Sequence, residues 1–260
     1  QDAHAPDLEI PLNVRGWHAL YLGVGGAAVP GHPNSARHGI RVKLSGDRIF
    51  QYRGHKRGIC EDVLFECADL TGQSLCIGQQ SAGHALPASL YYVRLVPLAP
   101  ETVASLQRER RRPPDRRLIG TMDGFSFLFR HCPTTRDELL SLFEPFRHTD
   151  FGTIWWQYVG ADLVNYRSRL GTIPGAFSDS PPRPGDGYFV RSVHELMANG
   201  VDITRAAVEA CHERGMKIHI AMRPAAWRAI VPWEDFFVSA FYRDHPEWRC
   251  RDRDGTPVAR

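Results

Sequence analysis

The stretch GVDITRAAVEACHERGMKIHIAM, residues 200–222, decides the fold of the second half of the chain. Asp202 stands where a helix would begin, and small and apolar residues then recur at helical spacing. Gly215 ends this helix directly before the apolar run of residues 217–222. The order of helix, glycine stop and buried strand is typical of α/β proteins, and Arg223 follows at the carboxyl end of the strand.

The same order extends back along the chain. Residues 118–122 and 153–158 are predicted strands, and Thr135 and Glu138 have the spacing of a capping box at the start of a helix between them. A long loop rich in glycine, proline and serine covers residues 167–187. A loop of this length in a compact domain is usually functional or mobile.

At most three β/α units fit between residues 118 and 260. A closed parallel barrel needs about eight strands and about 250 residues. We therefore predict the first strands of a truncated TIM-type (β/α) barrel, with a smaller open sheet as the alternative.

The first half of the chain has a different pattern, in which short apolar runs are broken by Gly, Pro, Asn and Asp. Ile40, Val42 and Leu44 alternate with two basic residues at the period of a half-buried strand. This pattern predicts an antiparallel β-sandwich of the jelly-roll kind. The predicted strands are residues 16–24, 39–45, 48–52, 61–68 and 91–97.

The predicted fold class is therefore multidomain, β plus α/β. We expect a β-sandwich domain over residues 1–100 and a helical, proline-rich linker over 101–117, where Pro113 and Pro114 break the helix. Residues 118–260 would then form the N-terminal part of the barrel.

Composition narrows the function classes. The formal net charge is only +3, and Lys43, Lys56 and Lys217 are the only lysines, so nucleic acid is not an expected partner. The basic run of residues 108–112 is interpreted as a solvated helix end and linker, with a phosphate-binding patch as the alternative. No apolar stretch reaches the roughly 18 residues that a membrane span requires, so no membrane partner is expected.

Cofactor and metal motifs are missing from the sequence. It contains no P-loop and no dinucleotide-binding fingerprint, its histidines lack ligand spacing, and its six cysteines form no C-x-x-C pair. We therefore expect no cofactor and no metal. Cys60, Cys67 and Cys76 would hold either one disulfide or free thiols. A chain beginning at Gln1 is what removal of a signal peptide would leave in a secreted or periplasmic protein, so the localisation stays open.

Two segments resemble a known family. GVDITRAAVEACHERGMKIHIA, residues 200–221, and YRDHPEWRCRDRDGTPV, residues 242–258, resemble the glycoside-hydrolase-like (β/α) barrels. Residues 17–24 and ASLYYVRLVPL, residues 88–98, resemble the β-sandwich that precedes the barrel in bacterial members of this group. The resemblance implies a glycosidase that cleaves a poly- or oligosaccharide with two carboxylates. It also implies that this chain is the N-terminal portion, inactive alone, with the catalytic carboxylates beyond residue 260.

In a barrel the active face is built at the carboxyl ends of the strands, which nominates side chains for substrate binding. Tyrosine and tryptophan rings stack on the apolar faces of sugars, and short polar side chains bind hydroxyl groups. Structural alternatives remain for four of the nominated residues. Asp123, before Gly124, would form a turn, and Arg223 would pair with a carboxylate. Asp162 and Asn165 would be ordinary loop residues. The predicted substrate-binding residues are Asp123, Tyr158, Asp162, Asn165, Arg223 and Trp227.

A second hypothesis is a non-catalytic carbohydrate-binding or scaffold protein. Trp17, Tyr21, Tyr91 and Tyr92 would then offer the aromatic surface of the sandwich. A third is a different barrel chemistry, such as an isomerase or a lyase, because the fold alone does not determine a reaction. We assign no oligomeric state, although an open barrel would expose apolar surface and promote association.

Overall fold

The computed structural model describes residues 6–26, 38–55, 60–78, 86–87, 89–112, 115–158, 160–223 and 235–256. The chain divides into two compact units. Unit 1 contains residues 1–115 and 140–149, and unit 2 contains residues 116–139 and 150–260. The domain boundaries given above stay a prediction from the sequence.

Unit 1 is built from short strands. They are β1 (Leu8–Pro11), β2 (Trp17–Gly25), β3 (His38–Leu44), β4 (Gln51–His55), β5 (Glu61–Asp69), β6 (Ser74–Gly78), β7 (Leu86–Pro87) and β8 (Ser89–Pro97). One sheet has the order β1-β6-β3-β4, with β7 paired in parallel to β3, and the other has the order β5-β2-β8. All other pairings in these two sheets are antiparallel.

Both sheets of unit 1 contribute to one hydrophobic core. The three-stranded sheet supplies Leu20 and Leu22, and the larger sheet supplies Ile40, Val42 and Leu44. The last three are buried while Arg41 and Lys43 are only partly buried, which confirms the period-two prediction.

The strand predicted over residues 48–52 is shifted. Val42 pairs with Gln51, so the connection between β3 and β4 runs from residue 45 to residue 50 and is longer than the turn predicted at residues 45–47. The Asp47 amide donates to the Leu44 carbonyl at 3.0 Å within this connection. Strands β1, β6 and β7 have two to five residues each, and such short strands lack a periodicity that the sequence would reveal.

Two further elements belong to unit 1. Helix α1 (Pro100–Arg111) occupies most of the predicted linker, and a 3-10 helix (Ser141–Phe146) is interrupted by proline. The Arg110 guanidinium donates to the Cys67 carbonyl at 2.7 Å and lies 5.5 Å from the centre of the Trp17 ring. This end of the basic run is therefore attached to the β5-β2-β8 sheet.

Unit 2 alternates strands and helices. Its strands are β9 (Leu118–Met122), β10 (Phe151–Gln157) and β11 (Lys217–Ala221). Its helices are α2 (Ser126–His131), α3 (Arg136–Leu140, whose last residue groups with unit 1), α4 (Pro184–Ala198), α5 (Ile203–Glu213) and α6 (Ala240–Asp244), followed by a 3-10 helix (Pro246–Trp248). The strands form one parallel sheet in the order β9-β10-β11.

The helix signals of unit 2 explain its elements. The Asp202 carboxylate accepts a 2.9 Å hydrogen bond from the Arg205 amide and caps α5, and Gly215 adopts a φ of +64° after it, as predicted. Thr135 and Glu138 form the predicted capping box. The Thr135 amide donates to the Glu138 carboxylate, and the Glu138 amide donates to the Thr135 hydroxyl, both at 3.3 Å. Helix α4 begins at Pro184, inside the segment predicted as a loop.

The two faces of the parallel sheet differ. Ile154 and Trp156 of β10 are buried on one face. On the other face Trp155 remains 48% exposed and Ile119 60% exposed. Parallel sheets are normally covered on both faces, so this open face is unusual. Trp156 therefore belongs to the core, whereas Trp155 does not.

The chain is thus mixed α/β, with antiparallel sheets in unit 1 and a parallel sheet with helices in unit 2. Among the described residues no sheet closes into a barrel. No helix of the described part is long and apolar enough to cross a membrane. All six cysteines are free thiols.

Candidate functional site

The carboxyl ends of the three parallel strands are joined by backbone contacts. Gly124, after β9, lies so close to the end of β10 that a Cβ atom there would be 1.6 Å from the Gln157 carbonyl oxygen. The Ala161 amide, after β10, donates to the Arg223 carbonyl, after β11, at 2.9 Å. The residues directly after all three strands therefore meet at one edge, as the barrel interpretation requires of an active face.

Asp123 forms the turn at the start of the loop after β9. Its carboxylate accepts hydrogen bonds from the Phe125 amide at 3.2 Å and the Ser126 amide at 2.9 Å, and also from the Ser126 hydroxyl. Gly124 follows with a φ of +67°. This arrangement matches the turn-forming alternative for Asp123 and leads the chain into α2.

The segment of residues 160–172 is folded on itself. The Thr172 amide donates to the Asp162 carbonyl at 2.7 Å, and the Val164 amide donates to the Thr172 carbonyl at 2.9 Å. A Cβ atom on Gly171 would lie 2.7 Å from a Val164 methyl group, so this close approach requires glycine. The loop is consequently held by its own backbone.

Asp162 carries the most unusual side chain of this loop. Both carboxylate oxygens are shielded from solvent, and neither has a hydrogen-bond donor among the described residues. Buried polar groups in proteins nearly always have a partner, so one without a partner requires an explanation. A carboxylate in this condition has unused acceptor capacity, which becomes available to a ligand when the atoms that shield it move aside.

Asn165, three residues later, also has a buried acceptor oxygen without a donor among the described residues. Its side chain is fully buried, and its amide nitrogen donates to the Gly124 carbonyl at 3.2 Å. Its oxygen Oδ1 is buried and has no donor within the described part of the chain. One end of this side chain therefore fixes the first loop, while the other end retains acceptor capacity.

Backbone strain occurs beside these acceptors. Ala161 has a φ of +50°, in the left-handed region that residues other than glycine seldom adopt. Such conformations cost about 1–3 kcal/mol and cluster at functional sites. This backbone conformation directs the Ala161 amide toward the Arg223 carbonyl, to which it donates, and determines the direction of the chain at Asp162.

Two tyrosines lie in the same region. The rings of Tyr158 and Tyr166 meet edge to face, with centroids 6.0 Å apart and planes at 73°. Burial raises the pKa of the Tyr158 hydroxyl, and the neighbouring Tyr166 raises it further. Tyr158 therefore stays protonated at neutral pH and can donate a hydrogen bond.

Arg223 presents an exposed side chain. The carboxylate partner that was predicted for it is not found among the described residues, so its guanidinium can act as a donor toward solvent or a ligand. Trp227 lies outside the described residues. No group of three or more His, Cys, Asp and Glu side chains in the described ranges is placed to hold a metal ion.

The sequence nominated Asp162 and Asn165 by their position after a strand, but other contributors carry no motif. Ala161 is important through its backbone angle, and Thr172 through its two hydrogen bonds within the loop. In the sequence, the glycine directly after Asp123 is the one indication that the backbone at residue 124 approaches Gln157 closely.

The site thus combines acceptor oxygens on Asp162 and Asn165, donors on Arg223 and Tyr158, and the aromatic faces of two tyrosines. Such a set suits a small ligand that is rich in hydroxyl groups and has apolar faces. No protein-family model matches the chain, and the comparison with characterised proteins finds no relative.

Proposed function

We propose that this chain is the N-terminal portion of a glycoside hydrolase that acts on a poly- or oligosaccharide. In this proposal unit 1 is a β-sandwich and unit 2 supplies the first strands of a (β/α) barrel. The edge formed by the loops after β9, β10 and β11 binds the sugar.

The strand order supports a barrel. Parallel strands that follow one another in the chain are neighbours in the sheet, which is how a barrel begins. The face that carries Trp155 and Ile119 would become the inside of the barrel once further strands covered it. That covering would satisfy the rule that parallel sheets are buried on both faces.

The single observation that carries the proposal is the Asp162 carboxylate. It is buried at the edge where barrel enzymes bind their substrates, and it has no donor within the described part of the chain. Neighbouring hydroxyl groups of a sugar are donors that one carboxylate can accept together. Asp162 is therefore proposed as a binding residue, with Asn165 and Arg223 beside it.

Cleavage would require two further carboxyl groups. A retaining enzyme places them about 5–5.5 Å apart and an inverting enzyme about 6.5–9.5 Å apart, one to protonate the leaving oxygen and the other as nucleophile or base. We propose that both lie beyond residue 260. Asp123 is excluded from this pair because its carboxylate is already used by the turn that it forms.

Measurement of the reducing ends released from polysaccharides tests this proposal. The natural protein that contains this chain is incubated with soluble β-glucan, xylan, galactomannan and starch. We expect release from at least one of them and a loss of more than tenfold in Asp162→Asn. The exposed Asp179 provides the matched control, Asp179→Asn. Conversion without new reducing ends would favour an isomerase, new reducing ends accompanied by an unsaturated sugar on the other fragment would favour a lyase, and no conversion at all would contradict the proposal.

A non-catalytic binding function has its own support in unit 1. Tyr91 is 62% exposed and Tyr92 44% exposed at the edge strand β8 of the β5-β2-β8 sheet. Tyr21 lies under the Arg94 guanidinium, and Trp17 is approached by that of Arg110, so these two rings are less available. Polysaccharide binding that disappears in Tyr91→Ala and Tyr92→Ala, with no hydrolysis by the natural protein, would establish this alternative.

A further inference from the structure

We infer that Trp248 is a second sugar-binding position of unit 2, which makes the substrate class an oligo- or polysaccharide rather than a single sugar. This inference rests on the proposed carbohydrate function. It concerns the segment of residues 239–249, which contains α6 and the 3-10 helix that follows it.

Trp248 belongs to a stack of three rings. The Trp248 and His245 rings are nearly parallel, with centroids 5.0 Å apart and planes at 23°. Phe241 contacts both, at 5.2 Å from Trp248 and 4.8 Å from His245. Despite these contacts Trp248 is 68% exposed, so the indole presents much of its surface to solvent.

Hydrogen bonds hold this stack in place. His245 Nδ1 lies 2.9 Å from a Glu247 carboxylate oxygen, which orients the imidazole under the indole. Arg249 donates to the Tyr242 carbonyl at 2.9 Å and lies 4.2 Å from the centre of the Tyr242 ring. The residues on both sides of Trp248 are thus anchored, and an ordered platform loses little entropy when a ligand stacks on it.

The stack is connected to the proposed binding edge. The Ser239 hydroxyl accepts a hydrogen bond from the Tyr242 amide at 3.1 Å and caps α6. The next residue, Ala240, donates its amide to the Thr172 hydroxyl at 2.9 Å, and the Thr172 amide binds the Asp162 carbonyl at 2.7 Å. The helix that leads to Trp248 therefore starts on the loop that carries Asp162.

The chemistry of the surroundings favours a sugar over a protein partner. Two aromatic rings are exposed here, Trp248 at 68% and Phe241 at 38%, and the charged side chains of Arg243, Glu247 and Arg249 that surround them are also exposed. Protein-binding patches are instead contiguous and apolar. A sugar ring has apolar C–H faces and a rim of hydroxyl groups, which match an aromatic face with acceptors and donors around it.

Two separate binding elements imply a ligand longer than one ring. Asp162 lies in the loop after β10 and Trp248 in the 3-10 helix after α6, so each can hold a different unit of one chain. A monosaccharide bound at Asp162 would not need Trp248, whereas a tetrasaccharide would gain from both.

Titration with oligosaccharides tests this inference. The natural protein that contains this chain and its Trp248→Ala variant are titrated with glucose, xylose and mannose and with the matching β-glucan, xylan and mannan tetrasaccharides. We expect the variant to bind the tetrasaccharide at least tenfold more weakly and the monosaccharide unchanged. Trp248→Phe retains a stacking face and should recover part of the affinity. Trp155→Ala, on the open sheet face, is the matched tryptophan control and should bind as the wild type does.

The outcomes separate this inference from the function on which it rests. Tetrasaccharide binding that is lost in Asp162→Asn but retained in Trp248→Ala overturns the Trp248 platform and leaves the carbohydrate function in place. Binding of no sugar by the wild type overturns both. Far-ultraviolet circular dichroism of each variant verifies that the fold is retained.

Discussion

The side-chain amide of Asn165 donates a hydrogen bond of 3.2 Å to the carbonyl oxygen of Gly124, which is 41 positions earlier in the sequence. This bond joins the loop after β10 to the loop after β9. It leaves the Asn165 oxygen as a buried acceptor without a donor within the described residues. Rigidity and binding capacity at the edge thus come from opposite ends of one side chain.

Removal of this amide should destabilise the protein. Asn165→Ala leaves the Gly124 carbonyl without its buried donor, which costs about 1–3 kcal/mol. Urea denaturation followed by circular dichroism measures the change. Asn199→Ala is the control, because the Asn199 amide binds the Thr134 carbonyl in an exposed setting. Equal losses in the two variants would contradict a special role for the buried bond.

Gly124→Ala should lower the free energy of unfolding by more than the cost of an unfavourable backbone angle alone. An alanine in the left-handed region costs roughly 1–2 kcal/mol. At Gly124 the added Cβ would also collide with the Gln157 carbonyl, for about 1–3 kcal/mol more. Gly200 has a φ of +73° and open space around it, so Gly200→Ala isolates the cost of the angle. Unfolding free energies that agree for the two variants would contradict the close approach.

Glu66 of unit 1 should make stability depend on pH. Burial raises the pKa of its carboxyl group and Asp47 raises it further, against the opposing effect of Arg147, Arg110 and Arg53. A folded-state pKa above the unfolded value favours the protonated group, so its contribution is full at low pH and is lost as pH rises through the folded pKa.

Glu66→Gln therefore tests the sign of this effect. The variant keeps a neutral side chain at every pH, so it should be at least as stable as the wild type at pH 7. The difference should shrink as the pH falls toward 4, where the wild-type carboxyl group is protonated. Denaturation between pH 4 and pH 8 gives the comparison. A variant that is less stable than the wild type at pH 7 would show that Glu66 is stabilising as an anion.

The cysteines should differ in reactivity. Burial raises the pKa of the Cys132 thiol and of the Cys211 thiol to about 11 in each case. The thiolate is the reactive form, so both should resist iodoacetamide at pH 8, whereas the exposed Cys60 and Cys250 should react first. Mass spectrometry of peptides over a time course measures the order. Early alkylation of Cys132 in the folded protein would contradict its buried placement.

The open face of the parallel sheet should promote self-association. Exposed Trp155 and Ile119 lie on neighbouring strands of this face. Burial of one large apolar side chain contributes about 1.5–3 kcal/mol, so Trp155→Lys should weaken association about tenfold or more. Sedimentation equilibrium measures the constant, with Leu170→Lys at an exposed loop position as the control. A wild type that remains monomeric at high concentration would contradict this prediction.

Much of unit 2 could be predicted because its signals are local. Asp202, Gly215 and the apolar run after it define a helix and a strand within about 20 residues. Helix α4 was missed because Pro184, Gly185 and Gly187 make its first turn look like a loop. Its start is instead set by the ion pair of Arg183 with buried Asp186, which composition does not reveal.

The candidate site was only partly predictable. Asp162 and Asn165 follow a recognisable strand, so their position was visible in the sequence. Whether a buried carboxylate has a donor depends on contacts between distant residues, and this was not visible. The exposure of Trp155 was not predictable for a related reason: alternation tells which residues share a face but not whether anything covers that face.

Titration of the natural protein that contains this chain with an oligosaccharide in a calorimeter tests the proposed role of Asp162 most directly. The three proteins are the wild type, Asp162→Asn and Asp179→Asn, all titrated with the tetrasaccharide panel. We predict binding by the wild type and by Asp179→Asn, and at least tenfold weaker binding by Asp162→Asn, because an amide replaces one acceptor oxygen by a donor. Equal affinity of all three proteins would contradict the assignment of Asp162 as the sugar-binding residue.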